Sequence, residues 1–216
     1  MTSEAISAPT RADTASALRN LGHCFVEHDL SGELLERIRS IAWELTGAIR
    51  ASPPIRRSAD DLVGEIPESR PPDGAVMDHF PGCPVSGKDN PMSLAVVARR
   101  DGDDVVAHVT FEAACSGIPG FVHGGPVAAV FDDVMGFVLA SMNGLSGYTA
   151  TMTVSFKMPV RIGHKIEYRG RLSRREGRKL YIEATAHDSH GSLVAEATGL
   201  FIEVPIESIA ESSLRH

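Results

Sequence analysis

Apolar residues recur along this chain with three different periods. In residues 30–50, Leu34, Leu35, Ile38, Ile41, Leu45 and Ile49 fall at helical spacing, and Ser31 is placed to cap the first turn. In residues 126–142 nearly every position is apolar, which predicts a helix over about 125–143 that is covered on most sides. Pro126 suits the first helical position and Gly144 the residue just past the end. In residues 148–157 the period is two. Tyr148, Ala150, Met152, Val154 and Phe156 face one way, and Thr149, Thr151, Thr153, Ser155 and Lys157 the other.

Further strands are predicted at 93–100 and 105–111, around the turn Asp101-Gly102-Asp103, and at 165–174, 180–187 and 193–204. Glu176-Gly177 and His190-Gly191 mark hairpin turns between the last three. The order is strand, strand, long apolar helix, then four strands. Hairpin connections imply an antiparallel sheet. A helix that is apolar all round must be enclosed, so the sheet is expected to curl about it. The expectation is an α+β fold, with a curled antiparallel sheet of about six strands wrapping one long central helix.

Residues 1–20 are polar and expected to be mobile, and 51–73 hold Pro53, Pro54, Pro67, Pro71 and Pro72 with little apolar periodicity. The chain of 216 residues therefore reads as an N-terminal helical extension and Pro-rich linker (1–75), one compact domain (76–206) and a short tail (207–216). The helix in 30–50 can cover a dimer or act as a lid over a substrate tunnel.

Hydrophobic residues make up 43% and charged residues 23%, the balance of a soluble globular protein. A net charge of −7 argues against general nucleic-acid binding. Cys24, Cys83 and Cys115 form no CxxC pair, so neither a disulfide framework nor a metal site is indicated. The first 20 residues lack a secretory pattern, and a cytoplasmic location is expected. The apolar run at 126–142 is short for a bilayer and carries Asp132 and Asp133 near its centre, so no membrane insertion is expected.

Several segments together resemble the phenylacetate-pathway (PaaI-like) family of hotdog-fold acyl-CoA thioesterases. They are Gly117-Ile118-Pro119-Gly120-Phe121-Val122-His123-Gly124-Gly125, Asp132 nine residues after His123, the strand at 149–160 with Lys157-x-Pro159, and Glu176-Gly177-Arg178-Lys179. The Gly-x-Pro-Gly-Phe-Val-His-Gly-Gly form is similar to one branch of that family. The segment 82–94 resembles a degraded version of that branch's upstream motif. The resemblance covers about residues 80–204. It implies the hotdog fold, assembly as a homodimer or as a homotetramer built from two dimers, and hydrolysis of an acyl-CoA substrate without metal or organic cofactor, CoA being part of the substrate.

Thioester hydrolysis needs stabilisation of oxyanion charge and an activated water or a nucleophile. Free N–H groups at a helix start supply the first. Gly124 and Gly125 admit a substrate close to the backbone, and Pro126 offers no N–H, so the donor is Gly124, Gly125 or Val127. Asp132 is the candidate base or nucleophile, expected to be partly desolvated in an apolar helix. The resemblance selects Asp132 over Asp133, and points to a hydroxyl that holds the carboxylate, Thr149 or alternatively Thr151. His123 is expected to orient the loop, with Val122 beside it at the substrate. Arg174, Arg175, Arg178 and Lys179 on one hairpin, and Lys157, are candidates for the CoA phosphates. Gly124 and Asp132 lie about 12 Å apart along one helix, too far to share one carbonyl, so the site is expected to combine two subunits. Some relatives place an Asn six residues before the His, where this chain has Gly117.

Two other readings use the same fold. A hotdog protein can bind acyl-CoA without turning it over. The segment from Asp78 to Gly87 also resembles the His-Phe-Pro-Gly-x-Pro segment of hotdog dehydratases, in which case His79 would be catalytic. There the His leads directly into the central helix, whereas here a strand follows.

Overall fold

The computed structural model describes residues 10–55, 69–78, 80–205 and 208. The apolar run forms a helix over Gly124–Asn143, α3. Val127, Val130, Phe131, Val134, Met135, Phe137, Val138 and Leu139 are all buried on it. Each large side chain contributes about 1.5–3 kcal/mol by leaving water. Gly144 ends the helix at φ 60°, the left-handed conformation that glycine adopts without strain.

Seven antiparallel strands wrap α3: β1 (Val76–Met77), β2 (Val97–Asp101), β3 (Asp104–Thr110), β4 (Gly147–Phe156), β5 (Lys165–Glu176), β6 (Lys179–Asp188) and β7 (Leu193–Glu203). Their order is β1-β2-β3-β5-β6-β7-β4, which leaves β1 and β4 at the edges. The seventh strand beyond the expected six is β1, a two-residue pairing of Val76 with Arg99 and Met77 with Ala98, too short to show a period. The sheet approaches α3 closely where it lacks side chains. A Cβ at Gly170 would lie 2.8 Å from Val134, and one at Gly199 would lie 2.7 Å from the Met135 sulfur. Tyr168 is fully buried, edge-on to Phe131 with ring centroids 4.9 Å apart, and burial pushes its phenol well above the ordinary range.

Two helices precede the sheet. α1 spans Arg11–Glu27, where the sequence suggested a mobile start. Thr10 and Asp13 cap it reciprocally: the Thr10 hydroxyl accepts from the Asp13 N–H at 3.1 Å, and the Asp13 carboxylate accepts from the Thr10 N–H at 3.0 Å. α1 is fixed to the domain by buried Ala15, by Arg19 donating to the Asn90 carbonyl at 2.5 Å, and by the Ala114 N–H donating to His23 Nδ1 at 3.2 Å. α2 spans Gly32–Arg50, with the Ser31 hydroxyl accepting from the Leu34 N–H, and buries no residue. No helix among the described residues is long and apolar enough to cross a membrane.

Candidate active site

The start of α3 has four N–H positions without intrahelical acceptors. The helix begins at Gly124 with His123 as N-cap, so Pro126 stands third rather than first. The His123 N–H donates to the Cys115 carbonyl at 2.8 Å. The Gly125 N–H donates to His123 Nδ1 at 2.9 Å. Pro126 has no N–H, and Val127 lies deep enough for the helical bond back to His123. Among the described residues this leaves Gly124 as the one uncommitted donor at the helix start. With Nδ1 accepting, Nε2 carries the ring proton, and His123 acts here as a cap that holds the loop.

The loop feeding this helix start is pinned on both sides. Its Gly117 N–H donates to the Phe121 carbonyl, and the Val122 N–H to the Val160 carbonyl, both at 2.9 Å. A side chain at Gly117 would meet the His123 Cα at 3.0 Å. The position that holds Asn in some relatives is therefore closed here by the loop's own packing. A Cβ at Gly124 would meet the Phe156 ring at 3.2 Å. Phe156 on β4 is thus part of the site wall, and neither it nor Arg161, which lies 5.3 Å from the Phe121 ring centroid, was singled out from sequence. The adjacent Lys157-x-Pro159 segment was the available signal for Arg161.

The two neighbouring acids reverse the expected environments. Asp132 is exposed, whereas Asp133 is buried at 7% exposure and accepts a hydrogen bond from the Cys83 thiol at 3.2 Å. A turn of about 100° separates them. It points Asp133 inward at the 80–94 loop and Asp132 outward beside edge strand β4, so the expected desolvation of Asp132 is absent in the single chain. The Thr149 hydroxyl donates to Asp132 Oδ1 at 2.8 Å.

That contact depends on a departure from the expected strict alternation in β4. Thr149 pairs with Phe201 and Thr151 with Leu200, so the strand carries a bulge between them. The extra residue turns Thr149 toward α3 while Met152 and Val154 still pack on the core. Thr151 falls on the outer face, lining a cavity of about 370 Å³ with Thr153, Arg174 and Tyr181, away from Asp132.

The remaining predicted cations are largely engaged. Lys157 pairs with Glu196 at 2.8 Å. Arg174 pairs with Glu176 and lies 4.1 Å from the Tyr181 ring centroid. Arg175 pairs with Glu203 at 2.6 Å, and the Arg178 guanidinium donates to the Glu203 carbonyl at 2.9 Å. Lys179 stands opposite Glu176 in the β5–β6 register. The hairpin is therefore a mixed-charge surface rather than a cationic one. A cavity of about 520 Å³ lies elsewhere, between α1 and β3, lined by Arg19, His23, His108 and Lys165. It contains neither Gly124 nor Asp132, and the chemistry of the helix start and its acid marks the site better than cavity size does. His79 lies outside the described residues; the segment after it leads into β2, not into α3.

A curled antiparallel sheet around one enclosed helix, with an uncommitted donor at the helix start and an acid on its open flank, defines a hotdog domain. Residues 119–195 match the model of the family described as the thioesterase superfamily. The acyl-coenzyme A thioesterase THEM4 of Bos taurus is 35% identical over 92 residues, 42% of this chain and 37% of that protein. THEM4 of Mus musculus is 35% identical over 92 residues, 42% of this chain and 39% of its own length. The chain thus spans well under half of these curated relatives. A crystal structure of a thioesterase superfamily protein has the same fold, with a TM-score of 0.76 and 22% identity, covering 91% of this chain and 92% of that one.

Proposed function

We propose that this protein is an acyl-CoA thioesterase whose site is completed by two copies of the chain. The observation that carries this reading is the placement of both reacting groups along one uncovered edge strand. The Gly124 donor sits under Phe156 and the Asp132 carboxylate is held by Thr149, both on β4. Tyr148, Phe156 and Met158 on this edge are 51%, 55% and 40% exposed, an apolar border with unpaired backbone groups.

If β4 pairs antiparallel with itself across a two-fold axis, the Thr149 end of one chain meets the Phe156 end of the other. Asp132 of one copy then approaches Gly124 of the partner subunit, which resolves the separation of about 12 Å along one helix. A thioester carbonyl placed between them receives the Gly124 N–H on its oxygen. Asp132 takes a proton from a water that attacks the carbonyl carbon. Collapse of the tetrahedral intermediate breaks the carbon–sulfur bond and releases the acid and the CoA thiol. Direct attack by Asp132, through an anhydride that water then opens, uses the same atoms. No step needs a metal or organic cofactor. Gly125 and Val122 shape the approach to the carbonyl, and Arg161, bridged to Phe121 on the site loop, takes a CoA phosphate in place of Lys157 and the hairpin cations, which are engaged by their own acids. We place this activity in the cytoplasm, where widely spaced thiols stay reduced.

The test is thiol release from short, long and aromatic acyl-CoAs, comparing the unaltered protein with Asp132→Ala. Release should fall by about 10²–10⁴-fold in the variant with folding intact. Saturable acyl-CoA binding without release from any substrate would make the protein a binder. Release that survives in Asp132→Ala would show that another group does the chemistry.

A further inference from the structure

α2 is a capped helix of 19 residues that buries nothing, and no other element of its own chain covers its apolar stripe among the described residues. Leu34, Leu35, Ile41, Leu45 and Ile49 are all 41% exposed or more. A single helix of this length is marginal in water without packing. At least part of the α1–α2 arm has a counterpart in another protein. The superfamily crystal structure matches 91% of this chain, which leaves fewer residues unmatched than α1 and α2 contain.

The stripe has a specific spacing. Leu34, Ile38, Ile41, Leu45 and Ala48 follow one another at steps of four, three, four and three, the alternating seam of two heptads. Leu35, Ala42 and Ile49 widen it on one side. On the other flank stand Arg37 and Glu44, one heptad apart and opposite in charge, with no ion pair in their own chain among the described residues. In an antiparallel pair of such helices, Leu34 lies opposite Leu45 of the partner subunit and Ile38 opposite Ile41 of the partner subunit. The same register sets Arg37 against Glu44 of the partner subunit, twice by symmetry. A parallel pair would have no such match on this flank.

We infer that α2 is a self-association element, which pairs antiparallel with α2 of a second copy. This contact is separate from the one proposed through β4. α1 anchors the arm beside the loops that lead into β2 and α3, and cavities under it are lined by β1, β2 and β3, at the sheet end opposite β4. Two distinct two-fold contacts on one chain build a dimer of dimers. Only that last step rests on the β4 pairing; the α2 seam does not.

Sedimentation equilibrium on the full chain tests it. The double variant Ile38→Glu, Ile41→Glu should halve the particle mass, and it leaves the domain folded because α2 buries nothing against the described residues of its own chain. Arg37→Glu should weaken the association, and Arg37→Glu with Glu44→Arg should restore it, which separates a specific seam from general stickiness. Halving from four chains to two keeps both contacts, and thiol release should persist in the two-chain particle. Halving from two to one keeps the α2 seam while removing the β4 pairing. A mass unchanged by the double variant, or a charge swap that fails to restore association, overturns the inference. Folding of α2 onto its own domain or onto vesicles would give that outcome.

Discussion

Two helices of nearly equal length, α2 with 19 residues and α3 with 20, solve the same problem in opposite ways. α3 is apolar on almost every face and is enclosed by its own sheet. α2 is apolar along one stripe and, among the described residues, is bare within its own chain. The difference lies in the width of the apolar surface rather than in the strength of the helix. A helix that is greasy all round needs a wrapped sheet, which one chain can build. A stripe needs only another stripe, which a second chain can bring. The proposed chemistry follows the same division, since Asp132 is the acid of α3 that the wrapping leaves outside.

The contrast can be broken most strongly in the core. Phe131→Ala should cost about 3–5 kcal/mol in urea denaturation, because it empties a fully enclosed position. Leu45→Ala, measured where the chain is dilute and α2 unpaired, should stay within about 0.5 kcal/mol. Equal costs would mean that α2 packs within its own chain. Next in size, Gly124→Ala sets a methyl beside the one uncommitted donor and against Phe156. It should lower kcat by about 10²–10³-fold with little change in melting temperature. Thr149→Val removes the hydroxyl from Asp132 and should lower kcat by about tenfold without loss of fold. Thr151→Val, on the outer face, should be silent.

The smallest effect belongs to the arm. The Thr10 hydroxyl, and after it the Thr10 N–H, hold the Asp13 carboxyl below its ordinary value of 3.8. A carboxyl lowered in the folded state stabilises fully above its unfolded value and loses that contribution as pH falls through the lowered one. The first turn of α1 should therefore stay capped at neutral pH and fray only in acid below the usual carboxylate range, seen as faster amide exchange there. Asp13→Ala should show the frayed rates at neutral pH.

Much of this molecule was legible because its signals are local. The α2 stripe with its Ser31 cap, the α3 run with Gly144 after it, and the hairpin turns at Gly177 and Gly191 each sit within a few residues of what they specify. α1 was missed: its apolar positions are sparse and the polar composition outweighed the local signal of the Thr10-x-x-Asp13 cap. What stayed hidden was long-range. The bulge that turns Thr149 toward Asp132 arises from register against β7, which alternation alone does not reveal. The contact of Phe156 with Gly124 joins residues far apart in the chain. Glu203, which engages Arg175 and Arg178, lies 28 residues from Arg175. The inward turn of Asp133 depends on the loop that carries Cys83.

The histidine cap at the start of α3 has a consequence for turnover. By taking the Gly125 N–H for its own ring, His123 reduces a natural anion cradle to a single prong. A lone N–H can steady one oxygen of a carbonyl as charge gathers on it, but it cannot grip the two oxygens of a carboxylate. Under the proposed chemistry, the enzyme would hold its reaction's midpoint more firmly than its product, and the freed acid would leave a site that offers it no second handhold.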